Sequence, residues 1–303
     1  SRIERVVARH IPEPASEQFQ LERGELDIVT GIGSDQAQAL RRARGVTVKS
    51  SLLADTFYVL MNNNPSIGGP FALPKIQQAV RSALDYEGIM KLAPQGAIRL
   101  AGVIPTSFAG SLDPTEAVKT DRTKARMLVK EANLGEVRGR LTFSAGLTAW
   151  GVQIGLLVQK IQTDLAEVGI TIDLNGVAHL TASQEYRDGR SQIGVWYWTA
   201  DWPDASDFLV YLPGREVGKR AGWSADASPE AAALVRLGEA AEAELDPRKR
   251  AALYQRIDRR LMEIGPYAPL FQSALPYAFR SNVRDVGYDG LGILDLYAIS
   301  KAG

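Results

Sequence analysis

The chain of 303 residues contains no cysteine. That absence excludes disulfides, iron–sulfur clusters, thiol nucleophiles and cysteine-ligated zinc. It suits an oxidising compartment, where stray thiols are a liability, and it suits a reducing one equally well. Histidine is almost as scarce: His10 and His179 are the only two. A Ser-His-Asp triad or a His-rich metal site would need one of them, and neither sits in a motif that suggests such a role. No apolar run approaches the roughly eighteen residues of a membrane-spanning helix. Charge of one sign is also missing, since Lys+Arg and Asp+Glu number 35 each. No overall field draws in nucleic acid or an anionic membrane, so no nucleic-acid partner is expected. The stretch 1–14 carries charge throughout and does not read as an export leader; for an exported protein the leader is expected outside this chain. There is no low-complexity linker and no internal repeat.

What remains is 45% hydrophobic and 23% charged, an ordinary globular composition with enough material for one large domain or two lobes. Short elements alternate along the first sixty or so residues. A strand is expected at 3–11, then a helix from Ser16 stopped by Gly24, then the strand Leu26–Val29. A helix capped by Ser34 and ended by Gly45 leads to a strand from Val46, and "FYVLMNNNP" reads as a further strand. Helical spacing then places Ile76, Ala79, Val80, Ala83 and Leu84 on one face of a helix over 73–90. Asp121 is a cap candidate for a helix that turns Ala125, Leu128, Val129 and Ala132 inward. The clearest unit runs from the strand "RLTFSAG" through a helix over 150–168 to the strand "ITIDL". That helix sets Trp150, Ile154, Leu157, Val158, Ile161, Leu165 and Val168 on its apolar face. Strand, helix and strand in this order predict a βαβ crossover and a parallel pair. Ser228-Pro229 and Asp246-Pro247 each read as a cap followed by proline at the first helical position, the second helix running to Gly265. The tail 290–300 reads as a closing strand. The class is α/β.

One stretch concentrates unusual chemistry. "IGVWYWTADWPDASDFL" carries Trp196, Trp198 and Trp202 together with Asp201, Asp204 and Asp207. The pattern predicts a strand over 193–198, a loop over 199–203, and a short helix capped by Asp204 or Ser206. Two of the carboxylates could serve a hydrolase as acid and base, but a spacing of three brings them together only on a helix, and Pro203 opposes helix there. As a calcium loop the trio lacks the glycine turn and the terminal glutamate, so no metal or other cofactor is expected. Spacing alone favours turn and cap roles for the acids. Even so, loops leaving the carboxyl ends of parallel strands are where α/β sheets bind ligands.

Six segments in order carry a resemblance. "FQLERGELDIV" resembles the "L..G..D" segment of solute-binding protein family 5, the large receptors of oligopeptide and dipeptide ABC importers. "FYVLMNNNPSIGGPFALPKIQQAVRSALDYEGIM" resembles the family's strand ending in Asn, its "PF", and its helix ending in "A.D...I". "TDRTKARMLVKEANL", "LVQKIQTDLAEVGITIDL", "YWTADWPDASDF" and "DPRKRAALYQRIDRRLMEIGPYAPLF" are similar to four further landmarks. There are departures: "PFALPKIQQA" lacks the usual Asp and Arg, and Ala205 stands where Pro is usual.

The resemblance implies a periplasmic-binding-protein-like fold of type II, with two lobes around a cleft, of which this chain matches only the later part. A leading portion is therefore expected before Ser1. Residues 1–61 and 276–303 are expected to be the remnant of the first lobe and 62–275 the second, ligand-facing lobe, with crossings near 62–66 and 273–277. The implied function is an extracytoplasmic, periplasmic receptor that does no chemistry on its ligand. It would deliver a peptide-like solute to an ABC permease, with a second polypeptide or second chain copy as a further expected partner. In the peptide-binding members the motif's Asp pairs with the ligand α-ammonium and the preceding aromatic lines a side-chain pocket. Carried over, these are Asp201 and Trp198, with Thr199 between them. An opine, sugar or metal chelate remains open as the solute.

Overall fold

A computed structural model describes residues 3–11 and 13–302. The strand Asp55–Met61 lies inside a six-stranded sheet and is buried at every position. The sheet runs in the order Ile98–Arg99, Tyr267–Gln272, Asp55–Met61, Ile193–Thr199, Val137–Ser144, Ile170–Val177. Each neighbouring pair among the first four strands is antiparallel, and the last three strands run parallel. Alternation along a strand sends successive side chains to opposite faces. Phe57, Val59 and Met61 accordingly enter a core with Ile76, Val80 and Leu157, whereas Tyr58 and Leu60 enter another with Phe208, Tyr211 and Leu261.

The βαβ unit forms as its pattern implies. Val137–Ser144 and Ile170–Val177 pair in parallel across the helix Ile154–Ala166, which buries Leu157, Val158, Ile161 and Leu165. Gly169, at a φ of 84° that side chains avoid, turns the chain into the returning strand. Trp150 departs from the expected helix. It sits at φ 51° in a tight hairpin between Thr148–Ala149 and Val152–Gln153, and the helix starts only at Ile154. The local caps are where proline and acid spacing put them. Asp121 accepts from Lys124 N–H at 2.8 Å, Ser228 from Ala231 N–H at 3.2 Å, and Asp246 from Arg248 N–H at 2.9 Å.

A second, three-stranded antiparallel sheet places Ala274–Arg280 between Ile28–Thr30 and Val46–Leu52. The helices Pro14–Arg23 and Ser34–Leu40 cover it, with Leu21, Val29, Ile32, Leu40 and Ala278 in its own small core. Gly24, at φ 82°, ends the first helix as expected. The second is capped at Gly33, not Ser34, because the Gln36 side chain reaches back to Gly33 N–H at 3.0 Å; it stops at Leu40, short of Gly45.

Three further expectations are corrected. Residues 3–11 form neither strand nor helix, and Val6 and Val7 stand 56% and 63% exposed. The tail is mostly turns tied by Asp289 and Asp295, with a single bridge from Leu294 to Tyr288 and one short pairing of Ser300–Lys301 with Val283–Arg284. The helix over 73–90 divides into Pro74–Ala83 and Tyr86–Met90, because Asp85 accepts from Gly88 N–H at 3.0 Å and starts a new turn. Asp55–Met61, which ends at the boundary expected after residue 61, pairs along its whole length with Ile193–Thr199.

The chain passes between the two sheets at Leu53–Ala54 and again at Ser273, where the two passages bond to each other. Leu53 N–H donates to Ser273 C=O at 3.0 Å, and the Gln272 amide donates to Leu53 C=O at 2.6 Å. The buried Asp55 carboxylate accepts from Ser273 N–H at 2.6 Å and from the Ser273 hydroxyl.

Burial pushes the Asp55 carboxyl up to about 7, against the lowering effect of the Ser273 bonds. It does the same to Asp258, which accepts from Val103 N–H at 2.7 Å. An unfolded chain releases such protons near pH 4, roughly the ordinary aspartate value, while the folded chain keeps them until near pH 7. The folded state binds more protons inside that window, so these two groups make stability fall as pH rises from about 4 to about 7. Asp55→Asn should flatten the slope, as measured by urea unfolding at a series of pH values. An unchanged slope would show that Asp55 is already ionised in the folded state.

Candidate functional site

The strand Ile193–Thr199 is held in register by its neighbour, Trp198 opposite Thr56 and Thr199 opposite Asp55. Trp196 stacks on Tyr186 with ring centroids 4.1 Å apart, and Trp198 projects to the same side two residues on. The strand then ends, with Ala200 N–H still bonded to Ala54 C=O at 2.8 Å. Asp201, Trp202 and Pro203 follow as an exposed turn.

The three aspartates reach three different environments. Asp204 caps the 3-10 helix Ala205–Tyr211 by accepting from Ser206 N–H at 2.8 Å, and it takes two bonds from the Arg250 guanidinium at 2.6 and 2.8 Å. Those Arg250 bonds hold its carboxyl far below the usual carboxylate range. Asp207 is buried. Its Oδ2 accepts from the Trp198 indole N–H at 2.8 Å and from Asp201 N–H at 3.1 Å, while its Oδ1 has no hydrogen-bond partner. Burial raises the Asp207 carboxyl, partly offset by those two bonds. Asp201 is the member of the trio whose side chain faces solvent.

Asp201, Trp198 and Thr199 line one concavity of about 330 Å³. Spacing had placed Asp201 and Trp198 near the strand end, and the fold brings all three to one wall. The Thr199 hydroxyl is buried there without a hydrogen-bond partner. Tyr186, Ser144, His179, Arg187 and Arg220 are among the other residues that line it. His179 Nδ1 lies 3.0 Å from the Ser144 hydroxyl and Nε2 lies 3.4 Å from that of Ser183. A histidine with no motif thus stands in the site. Sequence reasoning missed His179, Arg220 and the clamp role of Asp207, because each reaches the concavity through a fold contact that no local pattern encodes.

Chemically, an exposed carboxylate beside aromatic faces attracts a cation by Coulomb force and by the ring quadrupole. An acid–base pair within the trio is not assembled, since Asp204 is engaged by Arg250 and Asp207 by Trp198 and the Asp201 backbone. Among the described residues no group of three His, Asp or Glu side chains could hold a metal ion.

The family model described as "Bacterial extracellular solute-binding proteins, family 5 Middle" matches residues 1–217. The chain belongs to this family. One relative is the "Probable D,D-dipeptide-binding periplasmic protein DdpA" of Escherichia coli K12, 24% identical over 92% of this chain and 53% of that protein. Another is "Di/tripeptide-binding protein 2" of Pseudomonas aeruginosa, 26% identical over 87% of this chain and 49% of its own length. The chain therefore spans about half the length of these curated relatives. In fold it is similar to a dipeptide-binding protein from Pseudoalteromonas sp. SM9913 in complex with Met-Leu. That TM-score is 0.82 at 20% identity, over 96% of this chain and 57% of that one. The type II receptor fold expected from the sequence is the one observed, over the portion this chain covers. The family is one of binding proteins, not enzymes.

Asp207 should matter to this family member's site through position. Asp207→Ala leaves the Trp198 indole and the Asp201 amide without their acceptor and should cost about 1–3 kcal/mol of stability. Asp207→Asn keeps an amide oxygen in place of Oδ2 and should cost less. Urea unfolding followed by tryptophan fluorescence checks the order, and equal losses for the two variants would contradict the clamp.

Proposed function

We propose that this chain is the ligand-facing part of an extracytoplasmic, periplasmic receptor for small peptides, which passes its cargo to an ABC permease without chemical change. The observation that carries the proposal is the solvent-facing Asp201 carboxylate beside Trp198, with its backbone fixed by the buried Asp207. A peptide presents an α-ammonium group, which a solvent-facing carboxylate attracts. The two curated relatives named above are described as dipeptide- and di/tripeptide-binding proteins, which supports the same ligand class. Closure over the ligand would turn at the two bonded passages, Leu53–Ala54 and Ser273. A few residues there separate two sheets that each keep their own core.

An ion pair closed off from water is worth more than a surface pair, and deleting one partner leaves the other charge buried and unpaired. Asp201→Asn in the protein as isolated from its cells should therefore weaken dipeptide binding by roughly 2–5 kcal/mol. An N-acetylated dipeptide should lose a similar amount on the unaltered protein. Isothermal calorimetry reads both, and unchanged affinity in both would remove Asp201 from the ligand contacts.

A further inference from the structure

Among the described residues, no side chain of the three-stranded sheet or of its two helices lines the concavity. One element touches both. The hairpin of Thr148–Ala149 and Val152–Gln153 is closed at its base by Ile154 N–H, which donates to Leu147 C=O at 3.1 Å. Leu147 and Ile154 both line the concavity. The tip of the hairpin, Trp150-Gly151, turns with φ of 51° and 84°, the two positive values that a two-residue hairpin turn favours. The Trp150 ring meets that of Tyr197, another lining residue, edge-on with centroids 6.2 Å apart.

The other side of the tip bears on the three-stranded sheet. A Cβ at Gly151 would lie 3.0 Å from the Ile32 carbonyl oxygen and 3.2 Å from Pro276 Cγ. The approach is close enough to require glycine, which the positive φ favours as well. Both contact points are themselves held. Ile32 is buried in the small core, and Gly31 N–H donates to Pro276 C=O at 2.9 Å, so the two are tied to each other. On the concavity side, Tyr197 stacks on Phe57 at 5.1 Å and Phe57 on Phe271 at 4.9 Å. Phe271 directly precedes the Gln272–Ser273 passage, so packed rings run from the hairpin to that passage.

We propose that this hairpin couples the concavity to the placement of the three-stranded sheet. A ligand seated against Leu147, Ile154 and Tyr197 steadies the hairpin, and the tip of the hairpin steadies Ile32 and Pro276. Trp150 and Gly151 are positioning residues, since neither lines the concavity. Close-packed groups with no void between them transmit a restraint from one side to the other. The role of the ligand rests on the peptide reading above, whereas the contact of the tip with the sheet does not.

Hydrogen exchange resolved to single amides tests this on the protein as isolated from its cells, without ligand and with saturating alanyl-alanine. The Gly31 amide reports on the sheet and the Asp201 amide on the concavity. Without ligand, Gly151→Ala should speed exchange at Gly31 about tenfold by wedging the contact apart. Gly146→Ala is the control: Gly146 has a φ of 73°, but a Cβ there meets nothing within 4 Å, so it adds backbone strain without a wedge and should leave Gly31 unchanged. With the dipeptide, exchange should slow at Asp201 in every variant, and at Gly31 in the unaltered protein but not in Gly151→Ala. Should Gly151→Ala fail to fold, Pro276→Ala removes the same contact from the other side and should give the same two results. An unchanged ligand-free rate at Gly31 overturns the coupling, as does an equal effect of Gly146→Ala. Slowing at Asp201 without slowing at Gly31 in the unaltered protein, or slowing at Gly31 that survives in Gly151→Ala, overturns it while the peptide reading stands. A dipeptide that slows neither amide overturns the peptide reading, and the ligand-free rates still decide whether the tip holds the sheet.

Discussion

The pairing of Asp55–Met61 with Ile193–Thr199 is the constraint on which the rest of the molecule depends. Seven residues face seven in antiparallel register, and both strands are flanked on their outer sides by further sheet. Because side chains alternate, a slip of one residue would exchange the two cores and turn Trp196 and Trp198 to the wrong face. The pair also links the site to the passages between the sheets. Thr199 ends one strand beside the concavity, and its partner Asp55 begins the other at the bonds to Ser273. Thr199 and Asp55 face each other directly, so the concavity and the passages between the sheets meet at the same end of this pair.

Three aspartates spaced by three show how environment divides one residue type into different tasks. Arg250 and Ser206 N–H fix Asp204 as a charged cap. Asp207 is withdrawn from water and spends one oxygen on the Trp198 indole and the Asp201 amide. Asp201 keeps its carboxylate free. Asp207 thus fixes the Asp201 backbone from behind and leaves the Asp201 residue exposed.

Elements governed by short-range chemistry were legible in the sequence. Asp121, Ser228 and Asp246 cap their helices because the acceptor and the amide it satisfies lie two or three residues apart. The βαβ crossover was legible because an apolar helical face between two β-rich runs has few other ways to pack. Expectations that required a distant partner went astray. Residues 3–11 and the tail have strand-like composition, yet strand formation is decided by a neighbour that composition does not name. Trp150 fits the helical period, but the backbone at Trp150-Gly151 takes left-handed turns that no periodicity reveals. Asp201 and Trp198 were singled out through family resemblance, and that they line one concavity was not readable from spacing; Asp207 was read as a cap because its bonds reach back across a turn to the preceding strand. Arg220 and His179 arrive from a short helix after the site strand and from the helix before it, so nothing local pointed to them.

The most direct test of the account is a crystal structure of the protein, as isolated from its cells, with a bound dipeptide. The account predicts the ligand's amino nitrogen within hydrogen-bond distance of the Asp201 carboxylate, with the Trp198 indole still donating to Asp207. A ligand seated elsewhere, or one in this concavity whose amino group contacts neither Asp201 nor the Trp198 face, would contradict it.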